Sequence, residues 1–124
     1  MKRLVAVLGL CVLAGACTTK RPENNVVHLP DAPPAGEPAG TTGLHEADLR
    51  AQFGQPAMIR HDAGAEVVRI DGATCKAFFF LYSKDGNTAV WHVETSPRGQ
   101  AIAADENCLA SLRARMAPPP KPVS

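Results

Sequence analysis

Residues 43–56 read GLHEADLRAQFGQP, a stretch that contains both the start and the end of one short helix. His45 precedes the first helical turn and predicts an N-cap. Leu49 and Phe53 are four residues apart and therefore share one face of the helix. Gly54, followed closely by a proline, ends the helix because proline cannot continue it. A helix of about ten residues is marginal in water, so this apolar face must dock on another part of the chain.

The start of the chain has the features of a bacterial secretory signal peptide. Two basic residues precede an apolar run over residues 4–13, which is too short to be read as a membrane-spanning helix. Small residues then lead directly to Cys17, as in lipoproteins whose cysteine is acylated. We therefore predict a signal peptide over 1–16 and a lipid anchor at Cys17. Because Thr18, not Asp, follows the cysteine, we expect anchoring in the outer membrane, facing the periplasm; inner-membrane retention and plain secretion are the alternatives.

The charge balance argues against a nucleic-acid partner. The chain has 13 Lys and Arg and 12 Asp and Glu. Loss of the signal peptide removes Lys2 and Arg3, which leaves 11 basic and 12 acidic side chains and a net charge of −1. A nearly neutral chain without a basic stripe lacks the cations that phosphate backbones require. We expect a monomer that uses no cofactor and no metal.

Proline content divides the mature chain into three parts. Residues 17–42 carry five prolines without a helical or strand period, which predicts a semi-extended tether. Its apolar island at 26–29 either contacts the domain or docks on a partner. Residues 43–116 form the predicted globular domain, and 117–124 are a proline-rich tail.

Four stretches after the helix have strand character. Residues 57–60 are weakly strand-like, whereas 66–70 are rich in β-branched residues. Residues 75–82 and 88–94 are the strongest strands, and the loop between them predicts a hairpin. The order of elements therefore predicts an α+β fold, in which a short N-terminal helix and a C-terminal helix cover one face of a three- to four-stranded antiparallel sheet.

The hairpin loop decides which aromatic residues are buried, because a shift of one residue moves every side chain to the other face. A two-residue turn at Asp85 and Gly86 would set Phe80 opposite Trp91. A three-residue loop over 84–86 would set Phe79 opposite Trp91 instead. We choose the three-residue loop, since it gives the cleaner division between core and solvent. The core side of the two strands then carries Cys75, Ala77, Phe79, Leu81, Ala89, Trp91 and Val93.

The same register predicts a surface on the other side of the sheet. Phe78, Phe80, Tyr82 and Val90 would lie on the open face, together with charged residues. An apolar patch of this kind is typical of a binding site for another protein. The alternative is a central strand that is simply apolar on both sides, or a patch that another segment covers.

A C-terminal helix and a disulfide complete the predicted domain. Residues 105–116 place Cys108, Leu109, Leu112 and Met116 on one stripe, with acidic residues first and arginines last. In an oxidising compartment Cys75 and Cys108 form an even pair, and we predict a disulfide between them. Its loop would contribute about 3–4 kcal/mol to a domain with a small core. A reactive or metal-binding pair is the alternative, but no C-x-x-C spacing supports it.

Residues 43–95 resemble the SmpA/OmlA-type (BamE-like) domain of small outer-membrane lipoproteins. The resemblance lies in Gly43, Leu49, the Phe53-Gly54-x-Pro56 motif and the Asp85–Gly86 hairpin. It implies antiparallel strands after the helix and a link to outer-membrane assembly or maintenance, without making this chain the subunit of the β-barrel assembly machinery itself. His45 stands where that family carries threonine, and the C-terminal helix with Cys108 is additional.

The sequence contains none of the motifs of the common enzyme classes. It has no G-x-S-x-G elbow, no H-E-x-x-H pair and no glycine-rich phosphate loop. His61 with Asp62, and His92 with Glu94, are possible acid–base pairs without an accompanying nucleophile. We therefore predict no enzyme but a periplasm-facing interaction or scaffold module whose partner is an envelope protein. An inhibitor or ligand-binding module is the alternative, and an envelope-structural lipoprotein is a third class.

Overall fold

The computed structural model describes residues 29–100, 103–119 and 121–122. This part of the chain forms two helices and four strands. In chain order they are α1 (Glu46–Phe53), β1 (Met58–Asp62), β2 (Ala65–Asp71), β3 (Lys76–Lys84), β4 (Asn87–Ser96) and α2 (Glu106–Ala114).

The strands form one antiparallel sheet in the order β1-β2-β3-β4. Consecutive strands are neighbours, so the sheet is a simple meander. Buried side chains of both helices meet the same side of the sheet, which confirms the predicted α+β fold. The core consists of Leu49, Phe53, Val68, Ile70, Cys75, Ala77, Phe79, Leu81, Val90, Val93, Ala104, Cys108, Leu109 and Leu112.

Helix α1 begins and ends where the sequence predicts. The backbone N–H of His45 donates to the Asp48 carboxylate at 2.8 Å, and the His45 ring donates from Nδ1 to the Thr88 carbonyl at 2.8 Å. The imidazole thus ties the start of the helix to β4. At the other end Gly54 has φ +96° and ψ −168°, a conformation that essentially only glycine adopts. Inside the core, the rings of Phe53 and Phe79 lie 4.9 Å apart between centroids.

The turn between β3 and β4 differs from the predicted three-residue loop. Lys84 pairs with Asn87, so Asp85 and Gly86 alone form the turn. Both have positive φ, 52° and 77°, as a type I′ hairpin requires. This turn matches the right-handed twist of the strands, and that match favours two residues over three.

A β-bulge then restores the burial pattern that the shorter turn would have broken. Leu81 pairs with Val90, whereas Phe80 pairs with His92, so Trp91 is the extra residue on β4. The bulge allows Val90 and Val93 to face the core although they are three residues apart, and each is only 1% exposed. The prediction that Ala89 and Trp91 belong to the core is therefore wrong; both are half-buried.

Helix α2 is fastened to the sheet at its start. The Asp105 carboxylate accepts from the N–H of Asn107 at 2.9 Å, and the Asp105 N–H donates to the hydroxyl of buried Thr95 at 2.7 Å. Cys108 lies one turn further on, where the predicted disulfide to Cys75 is present. Met116 lies beyond the helix and is 47% exposed, which corrects its predicted place on the buried stripe.

Residues 37–44 run along the outer edge of β4, and we call them the edge strap. The N–H of Gly43 donates to the Val90 carbonyl and the N–H of Val90 to the Leu44 carbonyl, each at 2.8 Å. Thr41 is fully buried, with its hydroxyl donating to the Pro38 carbonyl at 2.7 Å. The packed body of the protein therefore begins before residue 43, inside the segment predicted as tether.

The register of β4 predicts that a valine-to-threonine substitution has a larger effect on stability at position 90 than at position 67. Val90→Thr would bury a hydroxyl in the core and should lower the free energy of unfolding by about 1–3 kcal/mol. Val67→Thr, on the opposite side of the sheet, should cost less than about 1 kcal/mol. Urea unfolding of the two variants measures the difference. Equal losses would contradict the two-residue turn, since a three-residue loop would place both valines on the same face.

Candidate functional site

The side of the sheet away from both helices carries the predicted aromatic residues. Along β3, side chains alternate between the core and this side, so Ala77, Phe79 and Leu81 are buried by the helices. Phe78, Phe80 and Tyr82 point the opposite way and are half-buried. We call this side of the sheet the open face. Its lining residues are Val67, Arg69, Phe78, Phe80, Tyr82, His92 and Glu94.

Val90, the fourth residue predicted for this surface, is not part of it. Its side chain is 1% exposed and belongs to the core. The two-residue turn is the reason, because it pairs Val90 with Leu81 of the core, and the bulge at Trp91 then brings His92 opposite Phe80. The open face is thus less aliphatic and more polar at β4 than the sequence predicts.

Polar and charged residues flank the aromatic row on both neighbouring strands. Phe78 lies between Arg69 of β2 and Glu94 of β4, and Phe80 lies next to His92, with ring centroids 5.6 Å apart. Arg69 forms an ion pair with Asp71, with 2.9 Å between Nε and Oδ1. The open face therefore combines apolar rings with charges of both signs.

Trp91 marks one end of this surface. Its ring is half-buried, and the Lys84 ammonium lies 5.7 Å from the ring centroid. The same ammonium donates to the Asp31 carbonyl at 3.5 Å, so the chain before the edge strap passes close to this end of the hairpin. A cation over an indole ring is a weak attraction at a solvent-exposed position.

A second polar cluster joins α1 to the β1–β2 hairpin. The Glu66 carboxylate is largely buried and has His61 Nδ1 3.1 Å from Oε2. Glu46 lies next to it and is itself bound by Arg50, with 2.6 Å between Nη2 and Oε1. Burial raises the pKa of Glu66, the charge of Glu46 and a hydrogen bond to it raise it further, and His61 and Arg50 act in the opposite direction.

One carboxylate oxygen of Glu66 is buried beside Glu46. This atom, Oε1, has no donor among the described residues. The protonated form of this carboxyl fits the site better than the charged form, because its O–H can donate to Glu46, in agreement with the raised pKa of Glu66. The sequence does not reveal this pair, because the two glutamates are twenty residues apart on different elements.

Ser83 is the hydroxyl of interest in a cleft next to Glu66. The cleft has a volume of about 290 Å³ and is lined by His61, Glu66, Ser83 and Thr88, among others. The Ser83 hydroxyl is bonded to that of Thr88 at 2.8 Å and not to a histidine, so it is not activated as a nucleophile. Within residues 29–100, 103–119 and 121–122, no group of three or more His, Cys, Asp or Glu side chains is placed to hold a metal ion.

The remaining predicted sites are Cys17 and the disulfide. Cys17 and the signal peptide lie outside the described residues. The Cys75–Cys108 disulfide links α2 to the start of β3. No helix in the described part of the chain is long and apolar enough to cross a membrane.

Comparison with known proteins adds no relative: no family model, no curated protein and no solved structure matches this chain.

The buried carboxyl predicts a pH-dependent effect of Glu66→Gln. The pKa of Glu66 is higher in the folded protein than in the unfolded chain. The contribution of this carboxyl to stability is therefore full below the pKa of the unfolded chain, and it is lost as pH rises through the pKa of the folded protein. The amide keeps the shape without the buried charge. We therefore expect a melting temperature a few degrees above wild type at pH 7 and no difference near pH 4.

Thermal unfolding followed by circular dichroism measures this effect. Asp62→Asn is the matched control, because Asp62 is exposed and, within the described residues, its carboxylate pairs with exposed Arg60. It should show no gain at pH 7. A lower melting temperature of Glu66→Gln at neutral pH would contradict the proposed carboxyl pair.

Proposed function

We propose that this protein is a periplasm-facing, lipid-anchored module of the cell envelope that binds another envelope protein through its open face. The observation that carries the proposal is the aromatic row of β3. Phe78, Phe80 and Tyr82 lie on the sheet side away from both helices, where the core makes no use of them.

The other surfaces of β3 and β4 are already occupied. The helices cover one side of the sheet, and the edge strap forms hydrogen bonds with the outward N–H and C=O groups of Val90. The open face is therefore the side of the sheet at which large apolar side chains remain accessible. Rings of this type supply contact area at a low cost in side-chain entropy and are enriched in protein interfaces.

The charges around the rings favour a protein partner. Arg69 and Glu94 flank Phe78 with opposite signs, so neither a polyanion nor a polycation finds a uniform surface. A protein surface with apolar side chains and mixed charges around them has the matching chemistry. The lipid predicted at Cys17 would keep the module beside such partners at the membrane.

The resemblance to the SmpA/OmlA-type domain supports the part of this proposal that concerns location at the outer membrane. It suggests a partner concerned with assembly or maintenance of the outer membrane. A helix followed by an antiparallel meander agrees with the fold expected from that resemblance. Fold alone does not imply function, so the partner has to be identified by experiment.

A photo-crosslinking amino acid on the open face tests the proposed surface in cells. Placed at Tyr82, it should form a defined adduct with one envelope protein. Placed at Ala51, which is exposed on α1, it should not. With the purified partner, Phe80→Ala and Tyr82→Ala should each weaken binding about tenfold or more, as central aromatic contacts do.

Three results separate the proposal from its alternatives. Equal adducts from both positions would refute the open face as the binding surface. Tight binding of the unanchored chain to a soluble periplasmic enzyme, with loss of that enzyme's activity, would favour an inhibitor instead. Palmitate should label the wild type and not Cys17→Ala, and an unlabelled wild type would refute the anchor.

A further inference from the structure

Glu37 connects the edge strap to β4 through both of its carboxylate oxygens. Oε2 accepts a hydrogen bond from the backbone N–H of Val93 at 2.9 Å. Oε1 lies 2.5 Å from Nδ1 of His92. The Glu37 side chain is only 10% exposed. A single side chain thus fills the outward-facing position on β4 that a neighbouring strand would otherwise occupy.

The ring of His92 has a carboxylate at each nitrogen. Nδ1 faces Glu37, and Nε2 faces Oε1 of Glu94 at 3.2 Å. An ionised carboxylate only accepts hydrogen bonds, so both ring nitrogens have to donate. A neutral imidazole has one N–H, whereas the imidazolium has two. The arrangement therefore fits the protonated ring.

The surroundings of His92 favour the protonated ring. Burial lowers the pKa of His92, but hydrogen bonds to Glu37 and Glu94, together with their charges, outweigh burial and raise it above the ordinary value. Among the described residues, the other neighbours of the ring are uncharged: β3 places the Phe80 ring beside it, and Ala103 and Ala104 line the same cleft of about 220 Å³.

We propose that Glu37 and His92 form a proton-dependent clasp that holds the edge strap on β4. In the protonated state the imidazolium binds Glu37, and Glu37 in turn binds the Val93 N–H. Loss of the proton leaves the Nε2 lone pair facing the Glu94 carboxylate and removes the positive charge between the two acids. Glu37 and Glu94 then repel each other without a cation between them, so Glu37 releases the Val93 N–H and the start of the edge strap leaves the sheet.

The direction of the pH effect follows from the raised pKa of His92. Its contribution to stability is fully present below the unfolded pKa of histidine and is lost as pH rises through the higher folded pKa. The clasp is therefore closed at mildly acidic pH and opens towards alkaline pH. Because Gly43 and Leu44 stay paired with Val90, the opening is confined to the first part of the strap.

The clasp also sets the length of the tether, a consequence that rests on the anchoring proposed above. With the clasp closed, Glu37 is the point at which the edge strap begins to be held on β4, and the chain from the lipid at Cys17 leads to that point. With the clasp open, it continues towards Gly43, six residues later. At about 3.1 Å per residue this adds roughly 20 Å of reach. Proton binding at His92 would thus regulate how far the open face stands from the membrane.

Nuclear magnetic resonance on the purified protein tests the clasp without a membrane or a partner. The His92 ring and the amide exchange of Val93 are followed from about pH 6 to about pH 9, with each exchange rate divided by its intrinsic rate. The protection of Val93 should fall at least tenfold as His92 loses its proton. Glu37→Gln should lower the pKa of His92 and reduce the Val93 protection at least tenfold at pH 6.

Glu94→Gln is the matched control. Glu94 is bonded to the same ring at Nε2, whereas the Val93 N–H is bonded to Glu37, so the change should lower the pKa of His92 and leave Val93 protected at pH 6. The proposal would be overturned if the protection of the Val93 amide stayed constant while His92 loses its proton. Unchanged protection in Glu37→Gln would overturn it as well. Equal loss of protection in both variants would also overturn it, because Glu37 would then have no special role.

Discussion

The backbone of Val90 makes the contacts on which the rest of the structure depends. Its N–H and C=O groups hold Leu44 and Gly43, and its side chain lies in the core opposite Leu81. One residue thus joins the strap, the sheet and the start of α1. An edge strand with free outward groups would be a template for aggregation. Here the protein's own chain covers part of that edge.

The bulge at Trp91 follows from this constraint. A two-residue turn fixes the pairing at one end of the hairpin, and the core requires Val90 and Val93 on one side. Both demands are met only if β4 contains an extra residue between them. The bulge therefore separates two environments along one strand. It places His92 beside Phe80 and Glu37, where the open face and the edge strap meet.

Local signals in the sequence predict much of this fold. The cap at His45 and the end at Gly54 follow from backbone chemistry, and β-branched and aromatic runs predict the strands. The disulfide between Cys75 and Cys108 follows from the predicted secretion and from the even number of cysteines that remain. These features depend on neighbouring residues or on composition, which a single sequence displays.

Other features depend on contacts between distant segments. The pairing of β3 with β4 is set along the whole hairpin by its two-residue turn and its bulge, so the predicted three-residue loop and the predicted place of Val90 are wrong. The edge strap has no periodic pattern, because its residues are held by β4 and not by one another. Glu37 with His92, and Glu46 with Glu66, are likewise pairs that only the folded chain brings together.

Amide hydrogen exchange at Val90 tests most directly whether the chain closes its own sheet edge. If the Val90 N–H donates to Leu44 as described, its exchange in the purified protein at pH 6 should be slowed as strongly as that of buried Phe79. The exposed turn residue Gly86 provides the fast reference. Exchange of Val90 at the rate of Gly86 would show an open edge and contradict the role of the edge strap.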